Sequence, residues 1–398
     1  MDITIFPGKL KGNIAAIPSK SQAHRLLICA AFSDKTTTLY CPQTNQDIEA
    51  TVRCLRAFGA VIERASYGYI VQPVTQIPLS AQMDCGESGS TLRFILPIAC
   101  ALGIDATITM EGRLPYRPLS PLWEELERMG CHLTRPSPIT IHTTGKLRPG
   151  KYTVAGNVSS QFISGLLFAL SLLDGESCIH ITGNVESIPY IKLTQIALNT
   201  FGVRTDFFKV RGSFPFHSPE IIEVEGDWSN ASFFLAANAL GNKVSVENLK
   251  LDSAQGDRAV VSILSAITEA PVLSAADTPD LVPILAVYYA ATSGAVITDI
   301  ARLRLKESDR VATVSNMLTQ LGICVASDEN TLTIFPGKNS GGIVDAAGDH
   351  RIAMAAAIAA TVADGPVTIL GAHCVAKSYP DFWQEYARLG GKYEQYLR

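Results

Sequence analysis

Residues Thr4–Ala31, TIFPGKLKGNIAAIPSKSQAHRLLICAA, and residues Thr333–Ala360, TIFPGKNSGGIVDAAGDHRIAMAAAIAA, align without a gap and share their opening hexapeptide. Each copy reads as a strand, a Gly-containing turn with a second strand, a polar loop and then an Ala-rich helix. Self-similarity of this kind is the mark of a repeated supersecondary unit. The junction of polar loop and apolar helix recurs outward from these copies. It appears as CGESGSTLR (Cys85–Arg93), AGNVSSQ (Ala155–Gln161), GDWSNAS (Gly226–Ser232) and DTPDLVP (Asp277–Pro283). With PSKSQAHR (Pro18–Arg25) and GDHRIAM (Gly348–Met354) there are six such loops.

A second element alternates with the first: a helix closed by Gly and followed by a strand, in AFGAVI, RMGCHL, TFGVRT, QLGICV and RLGGKY. Glycine just past a helix adopts the left-handed backbone that ends it. Only the stretch near Glu269–Val272 lacks this Gly, so one unit is expected to be atypical or shortened. Most loops lie about 70 residues apart, which suits a small α/β subdomain used six times. The expected fold is therefore α/β, in two domains of three units each: residues 1–17 with 228–398, and residues 18–227. The kinship of the first and last copies places the N-terminal strand beside the C-terminal half. Each domain should set three buried helices side by side, starting at the same end.

Composition bounds the function. The chain has 398 residues, 47% apolar and 18% charged, enough to bury two cores. A net charge of -4 gives no basic field, which disfavours nucleic acid and leaves anion capture to local clusters of Lys and Arg. MDITIFPGKL lacks the pattern of a secretory signal. The uncharged stretch Leu281–Thr298, broken by Pro283 and Gly294, reads as a buried helix and strand rather than a membrane span. Nine cysteines without a CxxC pair or zinc-ligand spacing read as reduced, buried and cytosolic. No motif calls for a metal or an organic cofactor, and a cytoplasmic monomer without membrane contact is expected.

Chemistry is expected at the helix starts, where unpaired backbone N–H groups and a partial positive charge favour anions. The loops place Lys20, Ser21 and Arg25 there, then Ser88, Gly89, Ser90 and Arg93, then Ser159, Ser160 and Gln161, and finally Asp280, His350 and Arg351. Singly, the Ser and Asp residues are ordinary N-caps. The placing of a cation within one turn of four apolar helix starts is not explained by capping, because buried cations need anionic partners. Arg117 in LPYRPL, the LKESDR run (Leu305–Arg310) and Lys377 in AKSYP extend the cationic set.

PSKSQAHR, ESGSTLR, YRPL, SSQF, SIPY, the Asp280 loop, LKESDR, GDHR and AKSYP stand in the order found in the 5-enolpyruvylshikimate-3-phosphate synthases, and the chain resembles that family over nearly its whole length. The resemblance implies the inside-out α/β barrel of the enolpyruvyl transferases, with substrates in the interdomain cleft. It assigns Lys20, Ser21, Arg25, Ser159, Ser160, Gln161, Ser187, Tyr190, Asp280 and Lys306 to shikimate 3-phosphate. It assigns Lys20, Gly89, Arg117, Gln161, Arg310, Arg351 and Lys377 to phosphoenolpyruvate, and implies that glyphosate competes beside Gly89. Asp280, Glu307 and Lys20 become the acid and base groups.

Two positions depart from the family pattern. Glu87 and Arg302 stand where Asn is usual, and Glu87 is expected to pair with a cation such as Arg93. The rival enolpyruvyl transferase acting on UDP-N-acetylglucosamine has a Cys in the loop that here runs from Gly112 to Arg117 without one. A non-catalytic phosphate-binding module would need the cations but not Asp280 and Glu307 together. An RNA-end-processing enzyme is disfavoured by the net charge.

Overall fold

The structure is a computed structural model of the 398-residue chain, and it describes residues 1–396 except 207, 213, 267 and 268. Its contacts separate two compact units, Pro18–Glu225 and Met1–Ile17 with Gly226–Arg398.

In the Pro18–Glu225 unit one pattern occurs three times. Each sheet has four strands, the first pair parallel and the next two added antiparallel. Two of the sheets run Ser80–Asp84, Asp105–Thr109, Thr140–Gly145, Cys131–Ser137 and Lys151–Ala155, Glu176–Thr182, Lys209–Arg211, Thr205–Asp206. Parallel neighbours need a crossover, supplied by the buried helices Gly89–Leu102 and Ser160–Ser171. The remaining sheet takes its leading strand, Ile221–Glu223, from the far end of the unit and lays it parallel to Thr37–Tyr40, after the helix Lys20–Ala31. The Gly89–Leu102 and Ser160–Ser171 helices meet closely because Gly165 has no side chain: a Cβ there would fall on the Arg93 carbonyl oxygen. Phe94 and Phe168 then pack edge to face with ring centroids 5.5 Å apart.

The other unit repeats the pattern twice and truncates it once. Val272–Ser274, Ala295–Thr298, Thr331–Ile334 and Val325–Ser327 form one four-stranded sheet. Gly342–Asp345, Val367–Leu370, Asp2–Phe6 and Lys392–Tyr396 form another, with Ile3 opposite both Ile369 and Gln395. The N-terminal strand thus lies beside the C-terminal segments. The truncated sheet has two strands, Lys11–Ala15 parallel to Lys243–Glu247, and no antiparallel hairpin among the described residues. Its helix Trp228–Ala239 is followed by the short helix Val260–Ser265, in the region that lacks the closing Gly.

Sequence signals at the helix ends act as expected. Ser19, Ser88, Ser159, Asp227 and Asp349 each accept an N–H from the first turn of the helix they open. The closing glycines take positive φ, for example +103° at Gly59 and +118° at Gly130. Leu281–Thr298 resolves into the helix Val282–Ala290 and the strand Ala295–Thr298. Among the described residues no helix is long and apolar enough to cross a membrane. The cysteine reading needs one correction: all nine thiols are free, but Cys178 and Cys374 are only half-buried and Cys324, just before the edge strand Val325–Ser327, is exposed.

Candidate active site

In the Pro18–Glu225 unit the expected residues gather where its three buried helices begin. Lys20 opens the first helix, and its Nζ lies 2.9 Å from Oδ2 of Asp47, with the side chains 13% and 8% exposed. Arg25, one turn on, is buried. Its Nε donates to Thr194 Oγ1 at 2.8 Å, Nη1 to the Ser21 carbonyl at 2.6 Å and Nη2 to the Tyr190 carbonyl at 2.9 Å. Burial pulls its guanidinium down to about 10. Arg25 therefore holds two other expected residues, Ser21 and Tyr190, in place.

Gly89 opens the second helix between two cations. A Cβ there would lie 2.7 Å from Arg93 Nη1 and 2.8 Å from Arg117 Nη1. Arg93 Nη1 donates to Gln161 Oε1 at 3.1 Å, and Gln161 Nε2 donates to Ser90 Oγ at 2.9 Å, so the starts of the second and third helices are fastened together. Ser159 caps the third helix, Ser160 is its buried first residue, and Ser187 precedes the helix Ile188–Thr200 with φ of +56°. Glu87 accepts the Arg113 N–H at 3.0 Å, and a Cβ on Gly112 would overlap the Glu87 carboxylate. Glu87 thus ties the loop before Gly89 to the loop that carries Arg117.

In the other unit Arg310 is the hub. It is 1% exposed, and each nitrogen of its planar fork meets a different carboxylate: Nη1 to Asp280 Oδ1 at 2.5 Å, Nη2 to Glu307 Oε2 at 2.6 Å and Nε to Asp349 Oδ2 at 2.8 Å. The second oxygen of Asp280 accepts Arg351 Nη2 at 2.7 Å. Asp349 does two jobs, since its other oxygen caps the helix His350–Ala360 by accepting the Arg351 N–H. Burial would raise the Asp280 carboxyl, but Arg351, Arg310 and Lys306 outweigh it and hold it well below the usual carboxylate range. Lys306 goes the other way. Burial and the nearby Arg302 and Arg310 bring its ammonium down to about 8, against the opposing pull of Asp280 and Glu307. Lys377 ends a short 3-10 turn, Ala372–Lys377, and is 6% exposed.

The sequence reading assigned the buried cations to ligand anions. In the structure Arg310, Arg351 and Lys20 are matched by the protein's own Asp280, Glu307, Asp349 and Asp47. Asp47 was missed because an acid in a helix first turn is ordinarily explained by the helix dipole. Also missed was a buried polar chain below Lys20: His24 Nδ1 lies 2.7 Å from Thr51 Oγ1, which lies 2.7 Å from Thr91 Oγ1, which donates to Ser88 Oγ at 2.7 Å. Its signal, single Thr residues at Thr51 and Thr91 among the buried positions of their helices, is faint.

A family model described as EPSP synthase (3-phosphoshikimate 1-carboxyvinyltransferase) matches residues 6–386. The chain belongs to the EPSP synthase family. It is 37% identical to the 3-phosphoshikimate 1-carboxyvinyltransferase of Clostridium kluyveri, over 99% of this chain and 98% of that protein. It is 36% identical to the protein of the same name from Clostridium botulinum strain Alaska E43, over 98% of each. A solved EPSP synthase structure from Acinetobacter baumannii superposes with a TM-score of 0.79 at 25% identity, covering 99% of this chain and 100% of that one. The repeated α/β units described above are thus those of the two-domain inside-out fold of the EPSP synthases.

Proposed function

We propose that this chain transfers the enolpyruvyl group of phosphoenolpyruvate to the 5-hydroxyl of shikimate 3-phosphate and releases phosphate, with the substrate-contacting residues carried over above. The single observation that supports the catalytic reading best is the sharing of Asp280 between Arg310 and Arg351. A non-catalytic anion trap would gain nothing from carboxylates that compete for its own cations, whereas an acid–base catalyst needs both kinds of group together.

The chemistry follows from that competition. An incoming carboxylate or phosphate that takes the guanidinium groups must displace Asp280 and Glu307 from them. The Asp280 carboxyl then loses the cations that depress it and becomes a better proton acceptor. Asp280 takes the proton of the 5-hydroxyl as its oxygen attacks C2 of phosphoenolpyruvate. Glu307 or Lys20 delivers a proton to C3, making a methyl group. The resulting tetrahedral adduct collapses when a C3 proton returns to the same group and the C2–O bond to phosphate breaks. Arg117, Arg310, Arg351 and Lys377 stabilise the charge that moves onto the leaving phosphate. Nine free cysteines fit a reducing, cytoplasmic setting.

The test is phosphate release from phosphoenolpyruvate with shikimate 3-phosphate or UDP-N-acetylglucosamine as acceptor. Release with shikimate 3-phosphate alone is expected. Turnover with the UDP-sugar, or binding without any release, would overturn the assignment.

A further inference from the structure

Arg302 is 8% exposed and lies in the 3-10 turn Ala301–Leu305, immediately before Lys306 and Glu307. Its Nη2 donates to the carbonyl oxygen of Ala276 at 3.0 Å. Ala276 belongs to the loop that leads into Asp280, so one side chain joins the two segments on which the proposed acid–base groups stand. It also brings a further fixed positive charge to a cluster that already holds Arg310, Arg351 and Lys306. Position 302 is one of the two at which the sequence departs from the family pattern, with a guanidinium in place of a neutral amide. An Asn could donate the same hydrogen bond only over a shorter reach and could not supply the charge.

We infer that Arg302 is a positioning residue that fastens the Asp280 loop to the Lys306–Glu307 turn and adds a further positive charge to the groups that act on Lys306. Burial acts most strongly on that ammonium and disfavours its charged form; of the neighbouring groups, Asp280 and Glu307 favour the charged form and Arg302 and Arg310 disfavour it. The outcome is an ammonium brought down to about 8, so Lys306 is charged at neutral pH and loses its proton just above it. Taken with the proposed function, this links acceptor binding to a proton. A phosphate monoester is already dianionic between pH 7 and 9, having its second pKa near 6, so any change in affinity there comes from the protein. If the phosphate is held by the charged form of Lys306, affinity is full below the free-enzyme value and falls about tenfold per pH unit above it.

The direct test leaves substrate out. Reductive methylation of the full-length chain with 13C-formaldehyde keeps each lysine charge and makes it visible by NMR, and Lys306→Arg assigns the resonance. Lys306 is expected to titrate at about 8 in the parent chain, at higher pH in Arg302→Asn, and as in the parent in Arg302→Lys, which keeps the charge. An unchanged midpoint in Arg302→Asn overturns the inference. So does an Arg302→Lys variant that titrates like Arg302→Asn, because hydrogen-bond geometry rather than charge would then control Lys306. A kinetic arm separates this inference from the proposed function on which its consequence rests. KM for shikimate 3-phosphate should rise about tenfold from pH 7 to pH 9 in the parent and less in Arg302→Asn. Titrations as expected with a flat KM would uphold the role of Arg302 and remove Lys306 from the acceptor site.

Discussion

Asp280 accepts a hydrogen bond from Arg310 at 2.5 Å on one carboxylate oxygen and from Arg351 at 2.7 Å on the other, so both of its oxygens are held by guanidinium groups. A carboxylate held in this way is charged but a weak base. The anions that claim its partners are those that the proposed reaction brings. Asp280→Asn should therefore separate binding from chemistry. With less competition for Arg310 and Arg351, KM for phosphoenolpyruvate should stay the same or fall, while kcat drops at least about 100-fold, the usual scale of a general base. Steady-state kinetics with circular dichroism as a fold control measures this, and near-normal kcat removes Asp280 from the mechanism.

Removing Arg310 should damage stability as well as activity. Arg310→Met leaves three carboxylates facing one another, one of them, Asp349, fully buried. Breaking a buried ion-pair set from one side costs about 3–5 kcal/mol. The sign of the pH dependence follows. In the parent, Asp280 is depressed, so its stabilisation is present above the unfolded-state carboxylate pKa and is lost as pH falls through the folded value. In the variant the carboxylates that shared Arg310 repel one another, and acid relieves that repulsion. The gap in melting temperature between parent and variant should therefore narrow from pH 7 to pH 4, and a gap that widens would show that the carboxylates are not repelling.

Gly89→Ala tests the placement of phosphoenolpyruvate. The added methyl group would press on the tips of Arg93 and Arg117, which are flexible enough to move aside but not without shifting the guanidinium assigned to the substrate. Stability should change by less than about 1 kcal/mol, since the helix start is kept. KM for phosphoenolpyruvate and the inhibition constant for glyphosate should both rise several-fold. Unchanged values of both would place the ligand elsewhere.

His24 carries a separate pH signature. It is fully buried, its Nε2 makes no hydrogen bond, and burial chiefly pushes its imidazole down to about 3. The unfolded chain, with an ordinary histidine near 6.5, binds more protons below that value, so this one group removes stability as pH falls, at about 1.4 kcal/mol per unit. His24→Gln should lower the melting temperature at pH 7, where the bond to Thr51 is lost, yet flatten its decline between pH 6.5 and pH 5. A decline as steep as the parent's would show that His24 is protonated in the folded state.

Most of the architecture is legible in the repeat. TIFPGK at both ends announced the unit, the closing glycines marked its helix ends, and the missing Gly near Glu269 flagged the truncated sheet. The chemistry was legible as residue types at helix starts, because Lys20, Gln161, Arg310 and Arg351 stand at capped N-termini where anions are expected. What could not be read was which of those cations the protein neutralises itself. Asp47 is 27 residues from Lys20, and Asp349 is 39 residues from Arg310. Pairings at such separations are set by how the helices pack, and no local pattern records them. Arg25 was legible as a cation but not as a brace, since its role depends on Thr194 and the Tyr190 carbonyl, contributed by a distant helix.

The strand Asp2–Phe6 lies between Val367–Leu370 and Lys392–Tyr396, and Lys11–Ala15 pairs with Lys243–Glu247. On the ribosome these first residues emerge long before any of their partners. Everything needed by the Pro18–Glu225 unit is in hand once Glu225 has left the exit tunnel, whereas the unit containing the chain's beginning must wait for its end. Synthesis at about 5–20 residues per second leaves the leading strands unpaired for several seconds or more. Nascent chains stalled once Glu225 has cleared the exit tunnel should therefore already protect the interior unit from protease while residues 1–17 remain cleavable.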